Sequence, residues 1–434
     1  MAELLAHAPP LPAPPTPRPV PGWDLLLGCM AVYVATAVGR VHQLFPLLEY
    51  LRPALLASVA GLGLYLLQQR GPRRLLRLRS PVTYCLIGLF VWGALTVPGA
   101  LNRGVAFQSW TNFAQTILMC LLVAGSVRHP RDVERLGLVY YASTVVYTAV
   151  ILSRFQLGDA GDSWRLGRLY YYDANDFATL IVTAMPLGLY FVLARRHIVL
   201  RLLALAGLGM LAVGLIRSGS RGGFLAFLAV GIFVLLRLTT VPARTRVVGL
   251  VALLIVTAGT ASDRYWTQMQ TIISPDRDYN VTAEEGRVKI WERGLGYMAR
   301  NPVFGVGVRN FQVAEGTISP RARLQERGIG VRWAAAHNTF VQTGAELGVP
   351  GLLLLIGMIV GAFVALSRAA RRLRTSTPTR TNAPRLAQSL MASLVAFVVG
   401  GFFLSFAYVD LLYTLVAFSI GLEKIARTWE PAAE

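Results

Sequence analysis

A histidine heads the segment His337-Asn338-Thr339-Phe340-Val341-Gln342-Thr343-Gly344-Ala345-Glu346-Leu347-Gly348-Val349, and an apolar run of membrane-spanning length follows at 350–366. Titratable groups are costly to hold at a membrane boundary and so mark function there. Of the five histidines, His7, His129 and His197 fall in segments expected on the cytoplasmic side, and His42 and His337 on the other. Only His337 follows a long arginine-rich loop. Beside arginines and at the start of a helix, an imidazole is held neutral, because both surroundings are positive. A neutral imidazole can accept a proton, as a general base must. The same residue also fits a hydrogen-bonded interfacial histidine. Glu346 falls on nearly the opposite helix face, so it is expected to bond to a neighbouring helix or loop rather than to His337.

Outward loops of membrane proteins are poor in arginine. Three stretches on the face carrying His337 break that rule. The first, 167–176, holds Arg168, Asp173 and Asn175; the second holds Arg217, Ser218, Gly219, Ser220, Arg221, Gly222 and Gly223; the third holds Arg287, Lys289 and Arg293. A guanidinium is a planar fork that stays charged and grips two phosphate oxygens at once. Gly222 and Gly223 open a helix, where backbone amides can approach an anion. Each arginine taken alone also fits ordinary snorkelling to headgroups. Asp276 and Asp278 form an Asp-x-Asp pattern that can hold a metal, although two carboxylates in a polar loop recur by chance. Asp410 stands at a membrane boundary, where a carboxylate suits the orienting of an arginine.

These groups need a scaffold, and the composition identifies it. Of 434 residues, 54% are hydrophobic and 15% charged, well below the about 25% of soluble domains. The mean hydropathy is +0.52. About twelve spans are expected, at roughly 23–39, 46–67, 82–98, 107–125, 136–154, 175–193, 198–216, 222–237, 246–262, 349–366, 387–406 and 409–426. The fold class is therefore an all-α integral membrane protein. Arginine-rich loops alternate along the chain and place both termini in the cytoplasm. The predicted organisation is a disordered proline-rich tail at 1–22, transmembrane helices one to nine over 23–262, a large outward loop and interfacial helix over 263–348, helices ten to twelve over 349–426 and a short tail at 427–434. The first span serves as its own uncleaved insertion signal. Within the loop an amphipathic helix is predicted at 284–299, with Val288, Trp291, Leu295 and Met298 on one side. Asn301-Pro302 ends it, and Gly305 and Gly307 permit a tight turn.

The net charge of +20 is topogenic rather than a nucleic-acid footprint, since no soluble basic domain carries it. Cys29, Cys85 and Cys120 all sit within apolar spans, and no Cys or His spacing suits zinc.

Ser220 to Gly223, the Gly286-Arg287…Trp291 segment with Asn301-Pro302, Gly305, Gly307 and Phe311, and His337-Asn338 through Glu346, Gly348 and Gly351-Leu352 resemble the O-antigen ligase and polymerase superfamily. Asp173-Ala174-Asn175 is similar to that family's Asn-containing loop. The resemblance spans about 165–425, and the order and shared face of the motifs carry it. It implies a GT-C-like membrane glycosyltransferase in the bacterial inner membrane, with its active site on the periplasmic face. The implied donor is a glycan on undecaprenyl pyrophosphate. A ligase passes that glycan to a lipid A-core sugar, whereas a polymerase passes it to another lipid-linked unit; the single large late loop favours the ligase. His337 is then the expected base. Arg221 and Arg287, with Arg168 and Arg217 behind them, are expected to stabilise the pyrophosphate, and Asn338, Asn175, Glu346 and Asp410 to support the site. No nucleotide, metal or other cofactor is expected, because the diphosphate linkage carries the energy. A protein O-oligosaccharyltransferase shares the same core. From another class, a polysaccharide or lipid transporter suits twelve spans but calls for charges near the bilayer midplane.

Overall fold

The computed structural model describes residues 21–154, 164–166, 169, 171–194, 197–274, 276, 278–375 and 382–428. Arg168, Arg277 and all but the last two residues of the predicted N-terminal tail lie outside these. Among the described residues the protein is helical throughout, with no strand. The helices are α1 (Leu25–Ala37), α2 (Pro46–Tyr50), α3 (Pro53–Leu67), α4 (Pro81–Thr96), α5 (Arg103–Ser126), α6 (Pro130–Arg154), α7 (Ala174–Ala194), α8 (Ile198–Ser218), α9 (Arg221–Arg237), α10 (Ala243–Thr260), α11 (Asp263–Gln270), α12 (Tyr279–Thr282), α13 (Arg287–Arg300), α14 (Phe311–Thr317), α15 (Thr339–Thr375), α16 (Ala383–Gly401) and α17 (Asp410–Arg427).

A helix lies over each of the expected spans, and local signals start many of them. Asp24, Ser80, Asn102 and Ser220 accept backbone N–H bonds at the starts of α1, α4, α5 and α9. The span expected at 46–67 is two helices. Pro53 has no N–H and restricts the residue before it, and Arg52 takes a left-handed φ of 45°. Among the described residues six helices are long and apolar enough to cross a membrane, namely α6, α7, α8, α10, α15 and α16. Three shorter apolar helices, α1, α3 and α4, stand beside them. The protein is thus a multi-pass membrane protein. Its periphery agrees: α10 is apolar yet buries only Thr257, an arrangement that suits lipid rather than water.

The centre of the bundle is α17, buried from Leu411 to Ala426. It packs on α5, α15 and α16, while α16 also packs on α7 and α9. Charged groups gather at the two ends. At one end, Asp24 pairs with Arg73 (2.7 Å) and Arg128 (2.8 Å), and Lys424 Nζ donates to the carbonyls of Ala124, Gly125 and Val127 at 2.8–2.9 Å. Those carbonyls are the unsatisfied acceptors at the end of α5. At the other end the first residues of α7, α9, α13, α15 and α17 meet, and the candidate site lies there.

The loop between α10 and α15 builds a small core of its own from Ile290, Tyr297, Phe311, Ala314, Ala334 and Ala336, closed by Ala345 of α15. The buried stripe of α13 is Ile290, Gly294 and Tyr297. This corrects the predicted Val288–Trp291–Leu295–Met298 face, since Leu295 is 50% exposed. The two stripes are neighbours on one helix. Spacing located the amphipathic helix, but the contact with α15 selected the side. The turn after α13 is hydrogen-bonded into a kink in α15: Val306 N–H donates to the Ala345 carbonyl, Gly307 N–H to that of Glu346 and Val349 N–H to that of Pro302 (2.8–2.9 Å). Gly348 makes the kink possible at φ 69°, where a Cβ would lie 2.2 Å from the Val303 carbonyl oxygen.

Candidate active site at one end of the bundle

His337 does not begin α15. It stands one residue before the cap, at a left-handed φ of 47°. Asn338 is the cap, its side-chain oxygen accepting from the amides of Phe340 (2.9 Å) and Val341 (3.0 Å). The strained turn is held from both sides. His337 N–H donates to Ser405 Oγ at 2.8 Å, and the Trp291 indole donates to the Ala336 carbonyl at 3.0 Å. Such a conformation persists only where its surroundings over-determine it, and it sets the direction of the side chain. Burial, then the Arg287 guanidinium, lower the imidazole pKa to about 4, with Arg332 adding to this and Asp173 opposing it. At neutral pH His337 is uncharged.

Arg287, the first residue of α13, is the cation that acts most strongly on His337. Burial and the neighbouring Arg221 depress its own pKa, and Arg165 acts in the same sense. Among the described residues no carboxylate lies within ion-pair distance of it. Asp173 and Asp278 oppose that depression from a distance, so Arg287 is a partly buried cation with acidic neighbours but no direct ion pair among the described residues. Arg221 differs: its guanidinium pairs with Asp278 at 2.8 Å and donates to Thr271 Oγ1. Burial pushes the Asp278 carboxyl up, but bonds from Asn280 and Arg221 hold it below its usual range. Asp278 of the Asp-x-Asp pattern is thus an arginine partner and the cap of α12.

Of the remaining predicted residues, Arg217 is half-buried in the last turn of α8. Its backbone carbonyl accepts from Leu166, and the guanidinium acting on Arg287 from this side is that of Arg165. Gly222 and Gly223 serve packing more than anion approach. A Cβ at Gly223 would lie 2.5 Å from that of Ala178 on α7, and the Gly223 amide is taken by Ser220. Glu346 is buried and accepts from the amides of Arg309 and Phe311, the Tyr408 hydroxyl and Gln342. It ties the loop that carries Arg309 to α15 and to the segment before α17. Asp410 accepts from Tyr33 and Thr116 and lies 3.7 Å from Arg40, whose guanidinium stacks 3.7 Å over the Tyr171 ring. Asn175 is half-buried in the first turn of α7, its amide bonded to Asp173.

Beside His337 is a cavity of about 270 Å³. The segment before α7 contributes Tyr171, Tyr172, Asp173 and Asp176, and the segment joining α16 to α17 contributes Leu404, Ser405 and Phe406. Arg309 and Ala335 complete much of the rest. Sequence reasoning did not select Asp176, Ser405, Arg309 or Arg40. The aspartate lay within a noted motif, and Arg40 is a further outward arginine. Ser405 carried no signal, because its role is a tertiary bond to the His337 amide.

Residues 205–356 match a family model described as O-Antigen ligase. Over that segment the chain is similar to the O-antigen ligase family. The matched region runs from within α8 to the first half of α15 and contains Arg221, Arg287, His337, Asn338 and Glu346. The carboxylate wall at Asp173 and Asp176, and Asp410 at the start of α17, fall outside it. None of the curated proteins matches the chain.

Proposed function

We propose that this O-antigen ligase relative transfers O-antigen polysaccharide from undecaprenyl pyrophosphate to a lipid A-core sugar, in the bacterial inner membrane with both termini in the cytoplasm and the site facing the periplasm. The observation that carries the reading is the adjacency of a neutral His337 to the Arg287 cation, which forms no direct ion pair among the described residues. An acceptor hydroxyl attacks the anomeric carbon while His337 takes its proton. The bond between the anomeric carbon and the phosphate oxygen breaks, and its electron pair leaves on the diphosphate. Arg287 and Arg221 neutralise that charge; Asp278 must yield part of its hold on Arg221 when the diphosphate arrives. A single displacement inverts the anomeric centre, and fixed guanidiniums take the place of a metal. Asn338, Glu346 and Asp410 hold the surrounding segments, and Arg168 and Asn175 belong to the neighbouring loop before α7. The site's position at one end of the bundle, among helix starts, supports transfer over transport through the bilayer.

A pH profile follows from the imidazole. Its neutral form is the active one, and it is lost by protonation as pH falls. Since the folded protein holds the pKa near about 4, kcat/KM, which reports the free enzyme, stays level down through pH 6.5 and falls only near about 4. Bound diphosphate offsets the Arg287 field, so the acid limb of kcat lies at higher pH than that of kcat/KM. A kcat/KM limb at an ordinary histidine pKa contradicts this reading.

The deciding experiment reconstitutes the purified protein in vesicles with one lipid-linked glycan and offers two acceptors in separate arms, lipid A-core and a second lipid-linked unit. Product on lipid A-core is expected. Product only on the lipid-linked unit makes the protein a polymerase, and no product in either arm removes the transferase reading.

A further inference from the structure

The cavity beside His337 has two aspartates in its wall, Asp173 and Asp176, whereas neither Arg221 nor Arg287 lines it. A diphosphate and a pair of carboxylates repel each other, so the leaving group does not belong in this space. A neutral sugar does. An ionised carboxylate only accepts hydrogen bonds, and a sugar presents a row of hydroxyl donors. Asp173 spends one oxygen on the amides of Asn175 (2.7 Å) and Asp176 (2.8 Å), leaving the other for a ligand. The half-buried Asp176 carboxyl accepts from the Asp173 backbone and feels the Arg287 charge, but it closes no ion pair among the described residues. A carboxyl withdrawn from water with a single backbone donor is costly, and incoming sugar hydroxyls reduce that cost. Ser405 Oγ accepts the His337 amide hydrogen and keeps its own proton for a ligand oxygen. The Tyr171 wall is fixed from behind by Arg40, which Asp410 holds.

Resting on the transferase reading, we propose that Tyr171, Asp173, Asp176 and Ser405 form the acceptor-sugar subsite, in which the two carboxylates grip sugar hydroxyls and so present another hydroxyl to His337. Inversion requires the attacking oxygen and the leaving diphosphate to lie on opposite sides of the anomeric carbon. Separate subsites, acidic for the acceptor and basic for the diphosphate, meet that requirement with the imidazole at their junction. Arg309, also in the wall, disfavours a cationic occupant.

The test uses the full-length protein in vesicles and varies acceptor and donor concentrations separately. Asp176→Asn keeps the shape and removes the charge. Asp173→Asn does the same while preserving the N-cap, since Asn caps as well as Asp. Each variant is expected to raise the acceptor KM tenfold or more with donor KM unchanged and undecaprenyl pyrophosphate binding retained, and Asp176→Glu to restore part of the loss. An unchanged acceptor KM overturns the subsite, as does a rise in donor KM or a fall in kcat alone. The assignment holds with lipid A-core or with a second lipid-linked unit as acceptor, so a polymerase result leaves it measurable. If wild type transfers to neither, binding of delipidated core oligosaccharide is measured directly, and equal binding by wild type and Asp176→Asn then overturns the subsite independently.

Discussion

His337→Ala lowers kcat/KM by about 10²–10⁴-fold, the range that a positioned general base contributes. The acceptor hydroxyl is a poor nucleophile until its proton is taken, and among the described residues that line the cavity His337 alone offers an imidazole nitrogen to take it. The backbone complicates a simple alanine test. His337 sits at φ 47°, a conformation that costs a non-glycine residue roughly 1–2 kcal/mol. Asn tolerates this region better than Ala, so His337→Asn serves as the folding control. Both variants are expected to lose transfer while still binding undecaprenyl pyrophosphate. Retained transfer in His337→Asn at normal folding removes His337 as the base.

Arg287→Ala is expected to lower transfer by about 10²–10³-fold, the loss of about 2.7–4 kcal/mol associated with removing one group that meets developing charge. Lysine at this position restores little, because a point charge lacks the planar fork. The variant carries a second signature that a merely structural role would not produce. Arg287 is the strongest cation acting on His337, so its removal raises the imidazole pKa and moves the acid limb of the residual kcat/KM upward from about 4. A lowered rate with an unmoved limb separates the two groups and contradicts their placement side by side.

Much of the architecture was legible in the chain. Apolar runs of bilayer length announce helices because an isolated span must satisfy every backbone group within itself. The break at Arg52-Pro53 was missed although proline marks it, since hydropathy averages over both pieces. Candidate residues were legible in the same way. Arginines on the wrong face, and a histidine at a boundary, stand out against the cost of placing charge there. Arg221, Arg287 and His337 do come together. What each arginine does was not legible. Arg221 is paired with Asp278, Arg287 is not, and Arg165, which the sequence did not single out, acts on Arg287.

The sequence by itself determined a multi-pass helical membrane protein, its similarity to the O-antigen ligase family, and the residue types able to bind an anion and accept a proton. These rest on hydropathy, spacing and charge, which are local properties. Tertiary structure alone decided which side of α13 is buried, that His337 is turned by Ser405 and Trp291, and that two aspartates face the imidazole across a cavity. Those facts depend on contacts between segments tens to hundreds of residues apart. No local pattern encodes them, because the partner supplies half of each interaction.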